Sequence, residues 1–238
     1  ADAINAGRDL HLVVAAHIAT AQGRPTTYDQ AVALYKAGDV TMKRLRQVSK
    51  IANFGFGGGM GARRFVEHAG RQDVTITLEG AQEVRDIWLR AWPEMEGYFQ
   101  RIAIATANDR RFVVQHPLSG RLHGGVGYTD GCNGYFQGLV ADGAKHAGYY
   151  LAKAAYVGTG AFRGSRPVLF VHDEVIAELP AGRAAEAAEE MALILRTGLQ
   201  MHMPDVRVGA DPALMTRWYK GAETVRDSSG RCVVWEPG

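Results

Sequence analysis

Two groups of residues in this chain have the types and spacing to do chemistry. The first is His172-Asp173-Glu174, flanked by an apolar run, Val168-Leu169-Phe170-Val171, and by the alternating stretch Val175 to Pro180. An apolar run, a short polar break and an alternating run is the pattern of a β-hairpin, here with two acids at its tip. A carboxylate at a strand turn is rigidly aimed and partly desolvated, as a divalent-cation ligand should be. The same run also suits a surface hairpin with a charged turn, which is a common feature. The second group is Arg46, Lys50 and Phe54, spaced at i, i+4 and i+8. On a helix these residues align two cations and an aromatic ring along one face. Cations one turn apart repel unless an anion bridges them, and the ring offers a stacking surface. A triphosphate joined to a base satisfies both features. A solvated basic face ending in a core Phe satisfies them too.

The helix carrying the second group opens at Asp39-Val40-Thr41, where Asp39 or Thr41 is the expected cap. Leu45, Val48, Ile51 and Ala52 recur at helical spacing and form its buried stripe. Gly55-Phe56-Gly57-Gly58-Gly59-Met60-Gly61 then places five glycines in seven positions. At about 1 kcal/mol each relative to Ala, they predict a helix end, a hinge, or close approach of another group. No Gly-Lys-Ser/Thr follows, and the glycines come after a helix rather than a strand, which disfavours a phosphate loop.

Four segments in order resemble family A DNA polymerases, the bacterial DNA polymerase I and phage T7-like family. Arg46-x-x-x-Lys50-x-x-Asn53-Phe54-Gly55 resembles the fingers-helix motif, motif B, and Val171-His172-Asp173-Glu174-Val175 the palm motif C. Asn133-Gly134-Tyr135-Phe136-Gln137-Gly138 resembles the Asn-x-x-x-Gln-Gly segment that opens a long palm helix. Gly7-Arg8-Asp9-Leu10-His11 resembles the Gly-x-Asp-x-His stretch leading into the fingers. The resemblance covers about residues 6 to 215. It implies an α+β chain, with mainly helical fingers over residues 1–128 and the C-terminal part of a palm with a small antiparallel sheet over 129–238.

The resemblance also implies roles. Lys50 and Arg46 would grip the phosphates of an incoming deoxynucleotide, assisted by His11, and Phe54 would pack on its sugar and base. Asp173 would bind catalytic Mg²⁺ with Glu174 close by, in two-metal nucleotidyl transfer. Lys50, Asp173 and Glu174 are thus the expected catalytic set. His172 would support the primer terminus. Asn133 and Gln137 would touch the minor-groove side of the nascent pair or the template, and Gly120-Arg121 is a weaker DNA-contact candidate. The implied partners are a DNA primer–template and deoxynucleoside triphosphates.

The chain departs from the family pattern in three places. No Asp-x-Ser-x-x-Glu stretch, the family's motif A with the other metal-binding Asp, is found in it. One carboxylate cannot hold two Mg²⁺ ions. The chain alone is therefore expected to be inactive, with motif A and the thumb supplied by a partner polypeptide or an N-terminal segment. A non-catalytic nucleic-acid-binding relic is the alternative. Gly58 stands where the family has Tyr, which predicts looser base selection, and Thr129 stands where many members have Arg.

Composition sets the outer bounds. The 238 residues are 47% hydrophobic, enough for one large or two small cored domains, and the net charge of +2 requires any nucleic-acid surface to be local. Basic residues cluster at Lys43 to Lys50, at Arg63-Arg64 and around a small hairpin, with Arg110-Arg111 and Arg121 flanking Phe112-Val113-Val114. Cys132 and Cys232 are the two cysteines, which suits a reducing compartment; the resemblance implies the cytoplasm of a bacterium or a phage-infected bacterial cell. No apolar stretch approaches the roughly 20 residues needed to cross a membrane. Further elements are predicted at residues 1–36 (helical, broken at Gly23 to Thr27), 78–107 (helix interrupted at Trp92-Pro93), 135–155 (helix, with Phe136, Leu139, Val140, Ala144 and Leu151 inward) and 183–200 (helix). Short strands are expected at 206–209 and 232–235.

Overall fold

The computed structural model of the protein describes residues 1–107 and 112–237, so Arg110 and Arg111 lie outside the described residues. The chain divides into two compact units, Ala1–Gly138 and Leu139–Gly238. The architecture is α+β, mainly helical with small antiparallel sheets.

The first unit holds helices α1 (Asp2–Asn5), α2 (Leu10–Ala21), α3 (Tyr28–Lys36), α4 (Val40–Gly57), α5 (Ala62–Gly70), α6 (Leu78–Ala91) and α7 (Glu94–Ala107). Strands β1 (Val113–Gln115) and β2 (Leu122–Gly124) follow, then the start of the long helix α8 (Tyr128–Val157). Asp39 caps α4 by accepting from the Met42 amide at 2.7 Å, so of the two cap candidates the earlier one is used. The predicted stripe Leu45, Val48, Ile51 and Ala52 is buried and joins Val14, Ile18, Phe56, Phe65 and Trp88 in one core. Phe56 stacks on Phe65 at 4.7 Å and meets the edge of Trp88 at 5.9 Å. Burying each such ring contributes about 1.5–3 kcal/mol. Thr77 caps α6 by accepting from the Gly80 amide, and the helical stretch breaks at Trp92-Pro93 as expected, because proline cannot continue the hydrogen-bond ladder.

The glycine run ends α4 and also serves close packing. Gly58 is its C-terminal cap residue, and Gly59 takes φ +79°, a conformation that favours glycine. A Cβ on Gly58 would stand 2.5 Å from Asn133 Oδ1, so the first turns of α8 press directly on this backbone.

The second unit contains the rest of α8, strands β3 (Arg166–Val171) and β4 (Glu174–Glu178), a 3-10 turn (Ala181–Arg183), helix α9 (Ala184–Gln200), and the short strands β5 (Val225–Arg226) and β6 (Cys232–Val233). Here α8 and α9 approach closely enough that a Cβ on Gly198 would lie 2.6 Å from Ala147 Cα. Leu151, Ala155, Phe162 and Ala187 form the core, and Ala185, Ala188, Leu214 and Cys232 a second cluster.

Two regions depart from expectation. Helix α8 begins at Tyr128, seven residues before Tyr135, and two residues expected to face inward, Phe136 and Val140, are exposed. Residues 206–209 are irregular rather than a strand. The Gln200 side chain takes their backbone groups, donating to the Val206 carbonyl at 2.8 Å and accepting from the Val208 amide at 3.3 Å. The apolar run of β3 lies open. Val168, Leu169, Phe170 and Val171 are all exposed, and β3 pairs with β4 alone among the described residues. The strand predicted near 232 is present as β6.

Candidate functional site

In the first unit the candidate residues gather on α2 and α4. Asp9 begins the arrangement. Its carboxylate caps α2 by accepting from the His11 and Leu12 amides at 2.8 and 3.2 Å, and its Oδ2 accepts from Arg46 Nε at 2.9 Å. Burial alone would raise the Asp9 pKa, but the Arg46 hydrogen bond, the two amides and the guanidinium charge outweigh it and hold the carboxyl below its ordinary value. Arg46 also lies over the Tyr35 ring, 4.9 Å from its centroid. One turn on, Lys50 is exposed, with no ion pair among the described residues. Another turn on, Phe54 is 69% exposed, its ring centroid 5.7 Å from that of His11. An aromatic left this open at a helix end is available for stacking, which sets aside the core-Phe alternative.

Asn53 joins the two helices. Its Nδ2 donates to the Leu10 carbonyl at 3.1 Å and meets His11 Nδ1 at 2.9 Å, while its Oδ1 accepts from the indole N–H groups of Trp88 at 2.8 Å and Trp92 at 3.3 Å. His11, Arg46, Lys50 and Phe54 thus form one cationic and aromatic surface, pinned from behind by Asp9 and Asn53. Partial burial holds the His11 pKa below its ordinary value; nearby Asp9 opposes this, and the charges of Arg46 and Lys50 reinforce it. Sequence reasoning gave Asp9, Trp88 and Trp92 no role. The available signal was the spacing of the two indoles, one helical turn apart, which suits a shared acceptor.

The DNA-contact candidates of this unit are partly engaged in local structure. Asn133 packs on Gly58 and donates to the Thr129 carbonyl at 3.1 Å. Arg121 Nη2 donates to the Gly138 carbonyl at 3.0 Å, tying the β1–β2 hairpin to α8. Gln137 is exposed.

In the second unit, Val171 pairs with Glu174, so His172 and Asp173 form a two-residue turn. His172 takes φ 55°, a left-handed conformation that non-glycine residues rarely adopt and that matches the twist of a tight hairpin. Asp173 and Glu174 are exposed, rather than partly desolvated as the sequence suggested. The Trp218 indole N–H donates to Glu174 Oε1 at 3.2 Å. Two adjacent carboxylates have the hard oxygen donors that Mg²⁺ prefers, and Mg²⁺ is often held by one or two carboxylates with water and phosphate completing its shell. The donor type therefore fits. The number falls short of a full site, since no group of three or more His, Cys, Asp or Glu residues converges among the described residues.

No helix among the described residues is long and apolar enough to cross a membrane. Both cysteines are buried free thiols.

No family model matches the chain. Over 222 residues, 92% of its length, it is 26% identical to DNA polymerase I of Aquifex aeolicus (strain VF5), of which the match covers 35%. It also resembles the POL domain of Pol1 from M. smegmatis in complex with DNA primer-template and dNTP. That likeness has a TM-score of 0.58 and 18% identity, and covers 87% of this chain and 33% of the other. The chain therefore spans about a third of the length of the proteins it matches. These likenesses support the resemblance drawn from the four motifs, to a portion of a family A polymerase.

Proposed function

We propose that this chain is the C-terminal part of a DNA-directed DNA polymerase, with fingers over residues 1–128 and part of the palm over 129–238, that performs template-directed nucleotidyl transfer. The observation that carries the proposal is the α2–α4 surface, where His11, Arg46, Lys50 and the exposed Phe54 stand together on a rigid base. A deoxynucleoside triphosphate matches it group by group. Lys50 supplies a point charge to the phosphates. Asp9 engages Arg46 through Nε, which leaves the two terminal nitrogens as phosphate donors. His11 adds a further hydrogen bond, and Phe54 packs against sugar and base. These groups position the triphosphate for in-line attack and stabilise the charge that grows on the leaving pyrophosphate.

Asp173, with Glu174 beside it, is the proposed Mg²⁺ ligand. Bound there, the ion would supply charge neutralisation at the reacting phosphate and acidify the primer 3′-hydroxyl. His172 would orient the primer terminus, and Gln137 and Asn133 would meet the minor-groove side of the duplex. Arg121 serves first as the anchor of its hairpin.

The two acids cannot serve two ions, so a second Asp must come from a partner polypeptide or an N-terminal segment, together with the thumb. The exposure of β3 supports this. A strand with four consecutive apolar residues has the sequence of a central strand covered on both faces, yet all four are exposed and it pairs with β4 alone among the described residues. A further strand along its open edge would complete the sheet.

The test is primer extension by the chain mixed with a polypeptide carrying motif A and the thumb, primer–template, Mg²⁺ and deoxynucleotides. Extension that is lost in Asp173→Ala supports the proposal. Extension unaffected by Asp173→Ala overturns the metal assignment.

A further inference from the structure

The four hydrogen-bond positions of the Asn53 amide are all filled by partners whose roles are fixed. Indole N–H groups can only donate, so the atom facing Trp88 and Trp92 is the carbonyl oxygen. A peptide carbonyl can only accept, so the atom facing Leu10 is the amide nitrogen. Exchanging the two would set donor against donor at both indoles and acceptor against acceptor at Leu10. The second hydrogen on that nitrogen points to His11 Nδ1 at 2.9 Å. His11 Nδ1 must therefore offer a lone pair, which places the ring proton on Nε2. Protonating the ring at Nδ1 would bring an N–H against the Asn53 amide hydrogens and cost that hydrogen bond.

We propose that Asn53 is a positioning residue that holds His11 as the neutral Nε2–H tautomer, so that the imidazole donates one directed hydrogen bond to a phosphate of the bound nucleotide. The phosphate half rests on the polymerase proposal above; the tautomer half does not. The charged groups that face His11 are Asp9 from the cap of its own helix, which favours ring protonation, and Arg46 and Lys50 from α4, which oppose it. His11 thus contributes a donor without adding a third positive charge beside Arg46 and Lys50. The cationic surface can then release its product more readily than three charges would allow. Trp88 and Trp92 act one step further back, fixing the amide that fixes the ring.

The test is long-range nitrogen–proton correlation NMR on the full chain labelled at histidine, with the His11 signals assigned by their loss in His11→Gln. The expected wild-type result is an unprotonated Nδ1 and a protonated Nε2 at neutral pH. A protonated Nδ1 overturns the proposal. In Asn53→Asp the carboxylate still accepts from both indoles but now also accepts at His11, so Nδ1 should gain the proton and the ring should bind protons at least tenfold more tightly. Unchanged tautomer and titration in that variant would refute the role of Asn53. Should Asn53→Asp fail to fold, the wild-type tautomer alone decides. Added deoxynucleoside triphosphate should shift Nε2 and leave Nδ1 in place. No shift at Nε2 refutes the phosphate half while the tautomer assignment stands, which separates the failure of this inference from failure of the nucleotide site.

Discussion

Replacing Gly58 by Ala tests the contact between the end of α4 and the start of α8. The new Cβ would stand 2.5 Å from Asn133 Oδ1, 2.8 Å from Nδ2 and 2.9 Å from Cγ, distances that no side chain tolerates. The backbone itself accepts Ala, since φ is −85° and ψ 13°. Relief of backbone entropy should by itself stabilise the variant by about 0.5–1 kcal/mol. Against this, Asn133 must swing away, losing its bond to the Thr129 carbonyl at about 1 kcal/mol and adopting a poorer rotamer at about 0.5–1.5 kcal/mol. The expected result for Gly58→Ala is therefore a net loss of roughly 1 kcal/mol. With Asn133→Ala already in place the obstruction is gone, and the same change should become neutral or stabilising. The coupling between the two substitutions is then about 1–2 kcal/mol, read from urea denaturation of the four proteins in a double-mutant cycle. If Gly58→Ala has the same effect in both backgrounds, within about 0.5 kcal/mol, the packing account is wrong. The outcome also governs any test of base selection at this position. A Gly58→Tyr ring would displace Asn133, so mismatch incorporation by that variant reports on both residues together.

Acid should destabilise the first unit in two stages. His11 and Asp9 both have pKa values held below their ordinary ones, so the unfolded chain binds more protons and stability falls as pH drops, first below about 6.5 for the histidine and then below about 4 for the carboxylate. Thermal melts across this range should show the first stage weakened in His11→Gln; an identical profile would refute the assignment. At the hairpin tip, His172→Gly should be more stable than His172→Ala by about 1 kcal/mol, because only glycine accepts φ 55° freely. Equal stability in the denaturation curves would show that the turn relaxes out of that conformation.

Elements with local signals are legible in the residues alone. Periodic burial of Leu45, Val48, Ile51 and Ala52, the caps Asp39 and Thr77, the break at Pro93 and the acid-tipped hairpin follow from spacing, capping chemistry and turn geometry within a few residues. The shared face of Arg46, Lys50 and Phe54 is equally local, since a helix fixes it. Which donors and acceptors meet across long separations depends on how the helices pack. Asn53 between His11 and the two tryptophans, Asp9 on Arg46, and Asn133 on Gly58 join residues 35 to 75 positions apart. Over a shorter span, the Gln200 side chain bonds the backbone of residues 206–209, which are irregular. The apolar run of β3 shows the same limit: its composition marks a strand, but whether its faces are covered depends on what packs against them, and all four residues are exposed.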